Sequence, residues 1–323
     1  MKPLNTFLIA LMSLIVWSGP ATPRMALADQ EDPELVMTNT YDAFGVERKG
    51  LTYDFGFSTV VRYRGKTVLF DAGTRADIFA ENLATLGIDP RAIDIAILSH
   101  GHHDHIGGFD YLLSVNPNVK IYLPNDFFSL GAPIPFPFKG PEPGIVEELP
   151  REQRYYGGAR EIGTVTSTGR FWKANVEYVT TMKEIMPGVT IIPTNAELMG
   201  IFIKYPPNDK APAFVGMPEL SASFTTSKGE ALISGCSHSS IESIILETRR
   251  VLDRKIHLVA GGFHLIPYDR AHLDGLAKRL RDQYGIEEVA PAHCTGHLAF
   301  AILRSAFGDR YRFFGLGASV EVM

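Results

Sequence analysis

The sequence predicts an α/β fold of four layers, in which helices cover two central sheets and an inserted lobe interrupts the chain. Three observations support this prediction. Strand and helix patterns alternate in two series, one before and one after a long irregular segment. Histidines follow several predicted strands, where α/β proteins tend to place functional residues. The chain of 323 residues is 45% hydrophobic and 21% charged, which is typical of globular proteins.

The first residues have the pattern of a secretory signal peptide. Lys2 precedes an apolar run over residues 7–17, and Ala26 and Ala28 supply the small residues that a signal peptidase reads. We therefore expect cleavage after Ala28, a mature chain of residues 29–323 and a periplasmic or secreted location. A membrane anchor is the alternative, but about a dozen apolar residues is shorter than the ~20 needed to span a bilayer.

The charge of the chain argues against a nucleic-acid partner. Removal of residues 1–28 deletes Lys2 and Arg24 and no acid, so the formal net charge of −5 becomes −7. Phosphate recognition needs a basic surface. The sequence therefore predicts a small-molecule substrate, no nucleic acid and no stable membrane anchor after signal cleavage, and it makes no prediction of the oligomeric state.

The first series of elements precedes the irregular segment. Alternating apolar residues over 50–72, broken by a turn at 64–66, predict two strands joined as a hairpin. Helical spacing of apolar residues predicts a helix over 75–86 that ends at a glycine. Residues 93–98 predict a short buried strand that ends at Ser99.

The irregular segment covers about residues 124–197. It begins with a proline-rich stretch and continues with aromatic and basic residues. Long irregular segments in compact domains are usually functional or mobile, so we interpret it as an inserted lobe or lid; a solvated loop with a few strands is the alternative. Its cations Arg154, Arg170 and Lys173 would either recognise an anionic group or lie as solvated surface charges.

The second series begins near Ala231 and again alternates strands with helices. Predicted strands cover 231–234, 256–260, 288–290 and 311–316, and predicted helices cover 241–252 and 269–284.

The most specific feature of the chain is the motif Ser-His-Gly-His-His-Asp-His-Ile-Gly-Gly at residues 99–108. Imidazole and carboxylate groups are the usual ligands of zinc, iron and manganese. We predict that His100 and His102 hold one divalent ion, and that Asp104 and His105 hold a second ion roughly 3.5–4 Å away. His103 fills the remaining position, and we interpret it as facing solvent or supporting a ligand.

Later histidines complete the predicted site. His238, His264 and His293 each follow an apolar strand, so they can converge on one edge of the sheets. We predict His238 and His293 as metal ligands, and His264 as either a ligand or a group that faces the substrate. Asp71, at the end of a strand, either orients a ligand imidazole or is a turn residue before Gly73.

The two cysteines, Cys236 and Cys294, allow two interpretations. In an oxidising compartment they would form a disulfide. However, Cys236 lies two residues before His238, so both side chains point the same way in an extended segment, whereas Cys294 directly follows His293 and would point away. This spacing makes Cys236 a candidate metal ligand, and a thiolate favours zinc or iron over a hard ion such as magnesium.

These motifs resemble those of the metallo-β-lactamase superfamily, whose His-x-His-x-Asp-His motif stands here at residues 100–105. The sequences at 235–238, 261–265 and 291–296 are similar to a branch of synthases that join a dihydropterin to ribofuranosylaminobenzene phosphate. The resemblance covers the chain from about residue 50 onward, outside the insertion, and implies the αββα sandwich. It also implies a bridging aspartate where this chain has Cys236, so either Cys236 takes that place or the ions are bridged by water alone or held asymmetrically.

The motifs and the resemblance together predict a hydrolase that uses two divalent metal ions, with zinc first and iron or manganese as alternatives. The ions would lower the pKa of a bound water from about 15.7 toward about 7, so that it attacks an ester, lactone, phosphoester or similar bond. Asp104 and His264 are the candidate catalytic groups. Asp104 would orient or deprotonate the water, and His264 would donate to the leaving group or bind the substrate.

Two other functions stay open. One is the synthase reaction of the similar branch, which the predicted export disfavours because its substrates are cytosolic metabolites. The other is a metal-dependent binding protein without turnover.

Overall fold

Two β-sheets face each other across a shared apolar core. The structure is a computed structural model that describes residues 32–132, 144–154, 171, 173–196 and 217–323. Pro33–Met323 forms one compact unit. The signal peptide predicted for residues 1–28 lies outside the described residues and stays a prediction.

The first sheet contains seven strands among the described residues. They are β1 (Leu35–Tyr41), β2 (Ser58–Tyr63), β3 (Lys66–Phe70), β4 (Ile95–Ile97), β5 (Lys120–Pro124), β6 (Asn175–Val179) and β13 (Ser319–Val322). Their order across the sheet is β13-β1-β2-β3-β4-β5-β6. Strands β3 to β6 are parallel, so their carboxyl ends lie at one edge.

The second sheet contains six strands in the same described ranges. They are β7 (Lys183–Met186), β8 (Val189–Ala196), β9 (Met217–Thr226), β10 (Gly229–Ser234), β11 (Ile256–Gly262) and β12 (Glu288–Ala292). They follow one another in the order β12-β11-β10-β9-β8-β7. Strands β10 to β12 are parallel and also end at one edge.

Helices cover the outer faces of both sheets. In chain order the described helices are α1 (Ala76–Leu86), α2 (His103–Ile106), α3 (Phe109–Val115), α4 (Phe127–Leu130), α5 (Ile145–Glu148), α6 (Ile241–Leu252), α7 (Arg270–Lys278) and α8 (His297–Phe307). Apolar side chains of α1 and α3 pack on the first sheet, and those of α6, α7 and α8 pack on the second. None of these helices is long and apolar enough to cross a bilayer.

The space between the sheets is filled by buried apolar side chains from both of them. Phe57 and Phe70 of the first half meet Leu220 and Phe224 of the second half in one cluster. Burying a side chain of this size contributes about 1.5–3 kcal/mol, so this layer holds the sheets together. The four-layer α/β prediction is therefore confirmed.

Most of the predicted elements of both series are present. The hairpin, the first helix and the strand before the histidine motif correspond to β2, β3, α1 and β4. The second series corresponds to β10, α6, β11, α7 and β12, although α7 ends at Lys278 and continues as a wider helical turn over Arg279–Gln283.

The predicted closing strand at 311–316 is wrong. Tyr311 and Leu316 form only isolated bridges, to Val289 and Gly45, and β13 lies further along the chain. The apolar side chain of Leu316 is buried by loop packing, because Gly315 and Gly45 allow the two loops to approach closely. The apolar residues of this segment indicate buried side chains, but they do not indicate pairing with a neighbouring strand.

The predicted insertion of about 124–197 is too wide at its carboxyl side. Residues 175–196 form β6, β7 and β8, which belong to the two sheets. Arg154 donates to the backbone oxygens of Glu147 and Leu149 beside α5. Lys173 is exposed, and Arg170 lies outside the described residues.

Candidate metal centre

The carboxyl ends of parallel strands from both sheets meet at one edge of the sandwich. The loops after β3 and β4 carry Asp71 and the histidine motif, and the loops after β10, β11 and β12 carry the later histidines and both cysteines. A hydrogen bond from the Leu220 nitrogen to the Ser99 oxygen joins the sheets beside this edge. Residues distant in sequence therefore form one cluster.

One group of donors consists of His100, His102 and His238. Their ligand atoms all lie within 4.8 Å of one another. Nε2 of His100 lies 3.2 Å from Nε2 of His238, although 138 residues separate them. The sequence prediction paired His100 with His102, and the structure adds His238 to that pair.

A second group consists of Asp104, His105 and His293, whose ligand atoms also lie within 4.8 Å of one another. Oδ2 of Asp104 lies 3.3 Å from Nε2 of His293 and 3.7 Å from Nε2 of His105. All three side chains are buried. The structure thus places His293 with the second predicted pair.

Cys236 lies between the two groups. Its sulfur is 3.2 Å from Nε2 of His105, and it shares further groups of close donors with His100 and with His238 and His264. The Cys236 side chain lies in the same cluster as His238, but the segment is not extended as the prediction assumed, because Ser237 between them has a φ of 59°. A sulfur atom therefore stands where the similar proteins were expected to have a bridging carboxylate.

Asp71 orients two of the imidazoles through hydrogen bonds on the Nδ1 side of each ring, one direct and one through Ser99. Its Oδ2 accepts hydrogen bonds from Nδ1 of His105 at 2.7 Å and from the Ser99 hydroxyl at 2.7 Å. Because the only Ser99 hydroxyl proton is used on Asp71, Nδ1 of His100, at 2.8 Å, must donate to the Ser99 oxygen. Both imidazoles then present an unprotonated Nε2 to the cluster, as metal ligation requires.

Gly235 makes this arrangement possible. A Cβ atom at residue 235 would lie 2.6 Å from Oδ2 of Asp71 and 2.7 Å from the Ser99 Cβ. The glycine before Cys236 therefore lets the two sheets approach at the point where Asp71 holds its partners.

Two buried acids that the sequence analysis did not select position the later histidines. Oδ2 of Asp42 accepts a hydrogen bond from the backbone nitrogen of His293 at 3.0 Å. The Glu219 carboxylate accepts hydrogen bonds from the backbone nitrogens of His238 and Ser239 at 3.1 and 3.2 Å. Burial raises the pKa of Asp42 to about 7 and also raises the pKa of Glu219. Both acids lie at ends of strands, and no motif marks them.

The histidines of the first group are kept neutral. Burial lowers the pKa of His100 well below its usual value, and it also lowers the pKa of His102. Burial and the neighbouring His264 lower the pKa of His238 to about 3. Neutral imidazoles are the form that binds a metal ion.

The second group carries an ion pair in the absence of a metal. Burial opposes protonation of His293, but its hydrogen bond to Asp104 and the charges of Cys294 and Asp42 raise its pKa to about 9. Burial likewise opposes ionisation of Asp104, yet the contacts with His293 and His105 hold the pKa of Asp104 well below its usual range. Asp104 is therefore a carboxylate ready to bind a cation.

Cys294 corrects one prediction. It was expected to point away from His293, but its sulfur lies 3.4 Å from the Cys236 sulfur, and both thiols are free and buried. The physical reason is the backbone of His293, which has a φ of 47° and starts a short 3-10 turn. The turn replaces the extended geometry on which the prediction depended.

The remaining histidines of the site differ in exposure. His264 packs against His238 with ring centroids 4.4 Å apart, and its hydrogen bond to Cys294 raises its pKa. His103 is exposed on α2 and belongs to neither donor group, which agrees with its interpretation as a residue that faces solvent.

A cavity of about 680 Å³ opens beside His238 and His264. Ser237, Ser239, Ser240 and Ser243 are among the polar residues that line it. Apolar and aromatic residues also line it, including Tyr268 and His272, whose rings stack with centroids 4.2 Å apart. The cluster is thus accessible to a small molecule through a mixed polar and apolar pocket.

The donor groups could hold metal ions. Nε2 of His100, whose Nδ1 carries the ring proton, lies 3.2 Å from Nε2 of His238, and a cation bound between them would be coordinated by both nitrogens. Buried Nδ1 atoms of His264 and His293 also have no hydrogen-bond partner among the described residues. His100, His102 and His238 would hold one ion, and Asp104, His105 and His293 the other, with Cys236 between them.

Comparisons with known proteins agree with the fold and the motifs. Residues 51–190 match the Metallo-beta-lactamase superfamily. A curated relative from Methanocaldococcus jannaschii, a 7,8-dihydropterin-6-methyl-4-(beta-D-ribofuranosyl)-aminobenzene-5'-phosphate synthase, is 27% identical over 256 residues, which cover 76% of this chain and 81% of the relative. An uncharacterized protein of the same organism is 26% identical over 265 residues, which cover 77% of this chain and 86% of that protein.

Among solved structures, a metal-dependent hydrolase of the beta-lactamase superfamily has the same fold. Its TM-score is 0.63 at 22% identity, with 89% of this chain and 99% of that chain covered. The matched residues contain the histidine motif and the strands that lead to it. Over residues 51–190, the chain therefore matches the metallo-beta-lactamase superfamily, and this match includes the histidine motif.

Proposed function

We propose that the protein is a hydrolase that uses two divalent metal ions, zinc first, to cleave an ester, lactone, phosphoester or similar bond in a small molecule. The observation that carries this proposal is the meeting of two three-residue donor groups at Cys236, beside an open cavity. Two ions held by such groups would activate a water and polarise the bond that it attacks. A periplasmic or secreted location is part of the same proposal and depends on the predicted signal peptide.

Asp104 is the proposed group for the attacking water. It is held as a carboxylate by His293 and His105, so one of its oxygens can bind the ion while the carboxylate orients the water and accepts its proton. The proton must leave the water as the new bond to the substrate forms. Asp71, Asp42 and Glu219 would act at a distance, by positioning the ligand imidazoles.

We propose that His264 donates a proton to the leaving group of the substrate. It lines the cavity, and its contact with Cys294 raises its pKa, which favours the protonated form. A protonated His264 can donate to the oxygen of the leaving group when the scissile bond breaks. Tyr268 and His272, stacked on the cavity wall, would pack on the body of the substrate.

The synthase reaction is the second candidate. It is favoured by the 27% identity to the named synthase, which extends over 76% of this chain. In that reaction the same centre would hold an aryl-amine phosphate and a dihydropterin while a bond between them forms. The predicted export favours hydrolysis over this reaction.

The test is a substrate panel assayed with two matched variants. Zinc-reconstituted protein is assayed against esters, lactones, phosphodiesters and thioesters, beside His102→Ala and His103→Ala. We expect hydrolysis of at least one class by the wild type and by His103→Ala, and loss of about 100-fold or more in His102→Ala, since several kcal/mol of metal-dependent stabilisation are removed.

Other outcomes select the alternatives. Reaction only with the dihydropterin and the aryl-amine phosphate would favour the synthase. A thermal shift caused by a panel compound without any turnover would favour a metal-dependent binding protein. Hydrolysis that is equal in the wild type and His102→Ala would contradict the proposed centre.

A further inference from the structure

The two buried cysteines form a sulfur pair at the floor of the histidine cluster. Their sulfur atoms lie 3.4 Å apart, each cysteine is 3% exposed, and Cys236, Cys294 and His293 form a group whose donor atoms lie within 4.8 Å of one another. Neither the histidine motif nor the predicted ligand set includes Cys294. The Cys294 thiol donates to the Cys236 sulfur, and no role assigned above uses this contact.

The fold makes room for the Cys294 sulfur. A Cβ atom at Gly262 would lie 2.9 Å from it and closer still to the Gly235 oxygen, so a larger residue at the end of β11 would displace the thiol. The His293 backbone, with φ of 47°, turns consecutive side chains into the same cluster. Non-glycine residues with positive φ are uncommon and concentrate at functional sites.

The same backbone feature recurs around the cluster. Seven non-glycine residues of the described chain have positive φ, and four of them, Asp71, Ser237, His264 and His293, lie at this site. The local strain is therefore concentrated where donor atoms are aimed.

The separation of the sulfurs favours shared ligation over a disulfide. A disulfide requires about 2.0 Å between sulfur atoms, and the observed 3.4 Å is far longer. A tetrahedral zinc ion with Zn–S bonds of about 2.3 Å separates two sulfur ligands by about 3.8 Å. The Cys236 sulfur and Nε2 of His105, at 3.2 Å, have a similar separation.

Charge balance also favours two thiolates. Two divalent ions would bring four positive charges into a buried site, where imidazole ligands add no charge and Asp104 supplies one negative charge. Uncompensated buried charge is costly. Thiolates of Cys236 and Cys294, with the hydrogen-bonded carboxylate of Asp71, would balance the remaining three.

We propose that Cys236 and Cys294 form a two-sulfur subsite of the metal centre, in which Cys294 is a ligand of the ion held by Asp104, His105 and His293. Such a subsite takes a thiophilic divalent ion, zinc, cobalt or iron, in preference to magnesium or manganese. This inference rests on the proposed metal centre and adds a ligand and an ion class to it.

The test is cobalt titration of the reduced, metal-free protein. Thiolate ligands of cobalt give a near-ultraviolet charge-transfer band, whereas the visible bands report cobalt bound by any ligands. The chain contains two cysteines, so both contributions to the near-ultraviolet band can be assigned. We expect two equivalents of cobalt and a band that falls by about half in Cys294→Ser, by about half in Cys236→Ser, and completely in the double variant.

Each other outcome is decisive. A Cys294→Ser band equal to that of the wild type overturns the inference while leaving the metal centre intact. A Cys236–Cys294 disulfide in the purified protein, seen as two thiols that react only after reduction, also overturns it. A wild type that binds no cobalt overturns the metal centre itself. His102→Ala should lose part of the visible absorption but keep the sulfur band, because the donors Asp104, His105 and His293 are unchanged.

A second measurement covers a Cys294→Ser protein that does not fold. X-ray absorption at the zinc edge of the wild type counts sulfur neighbours at about 2.3 Å. In Cys236→Ser, which keeps Cys294, one sulfur neighbour for two zinc ions supports the subsite and none contradicts it. In the wild type, three sulfur neighbours for two zinc ions are expected if Cys236 bridges both ions, and two would then come from Cys236 alone.

Discussion

Oδ2 of Asp71 lies 2.7 Å from Nδ1 of His105, so the Nε2 atom of this ring is left free to face the donor cluster. The same oxygen accepts the Ser99 hydroxyl, which in turn accepts the proton of His100. One carboxylate at the end of β3 thus fixes the tautomers of one imidazole in each donor group.

Replacing this carboxylate should weaken metal binding. In Asp71→Asn the amide cannot accept both hydrogen bonds as a charged group does, so zinc affinity should fall about 10-fold to 100-fold. Competition with a chromophoric chelator measures the affinity. Asp309→Asn, an exposed carboxylate far along the chain, is the control and should bind as the wild type does. Unchanged zinc affinity in Asp71→Asn would remove the role assigned to this residue.

The metal-free protein should lose stability as the medium is acidified. The pKa of His238 is about 3 in the folded state, against about 6.5 in an unfolded chain. The unfolded chain therefore binds a proton that the folded chain does not bind, so this contribution is full above about pH 6.5 and is lost as the pH falls toward 3. Its slope is at most about 1.4 kcal/mol per pH unit for one proton.

The effect is measured by urea unfolding of the metal-free protein at pH values from about 4.5 to about 7. At each pH the free energy of unfolding is determined, and its change with pH is compared between proteins. His238→Gln should show a shallower pH dependence than the wild type. Asp42, whose pKa is raised to about 7, acts with the opposite sign in both proteins and cancels in the difference. Parallel curves for the two proteins would contradict the prediction.

Replacement of His264 should separate catalysis from metal binding. In His264→Gln we expect both metal equivalents to remain, while turnover falls about 10²-fold to 10⁴-fold, as on loss of a general acid. Metal analysis and kcat are measured on the same sample, together with the pH profile, whose basic limb should change. Loss of one metal equivalent would instead identify His264 as a ligand, the other role that the sequence left open.

Gly235→Ala should destabilise the fold at the contact between the sheets. The new Cβ would lie 2.6 Å from Oδ2 of Asp71, and overpacking of a buried site costs about 1–3 kcal/mol. Gly275→Ala, in the interior of α7 where only the flexible Arg279 side chain lies near, should instead gain roughly 0.5–1 kcal/mol. Urea unfolding compares the two, and equal stabilities would contradict the role of Gly235.

The fold could be predicted where local pattern and tertiary burial agree. The hairpin of β2 and β3 and the β10-α6-β11 unit have clear periodicity bounded by turn residues, and both are present. The prediction failed at 311–316, where apolar side chains are buried by loops that pair with no strand. β1 was not predicted, and one of its partners is β13 at the far end of the chain. β9 and α8 were not predicted either, although β9 forms a hairpin with β10.

Only those site residues that belong to a recognisable sequence pattern could be predicted. The histidine motif is local, and its members lie together as expected. Asp42 and Glu219 act through backbone nitrogens of distant residues, a relationship that no spacing reveals. The direction of Cys294 depended on one backbone angle at His293, which the identity of that residue does not determine.

The donors of the centre are divided between the two sheets. His100, His102, Asp104 and His105 follow a strand of the first sheet, whereas Cys236, His238 and His293 follow strands of the second. An ion held by both halves is therefore a cross-link, and it should resist separation of the sheets by about 2.7 kcal/mol when its concentration is 100 times its dissociation constant. In a compartment poor in metal, the same protein would be both inactive and easier to unfold, so metal supply would set its lifetime as well as its activity.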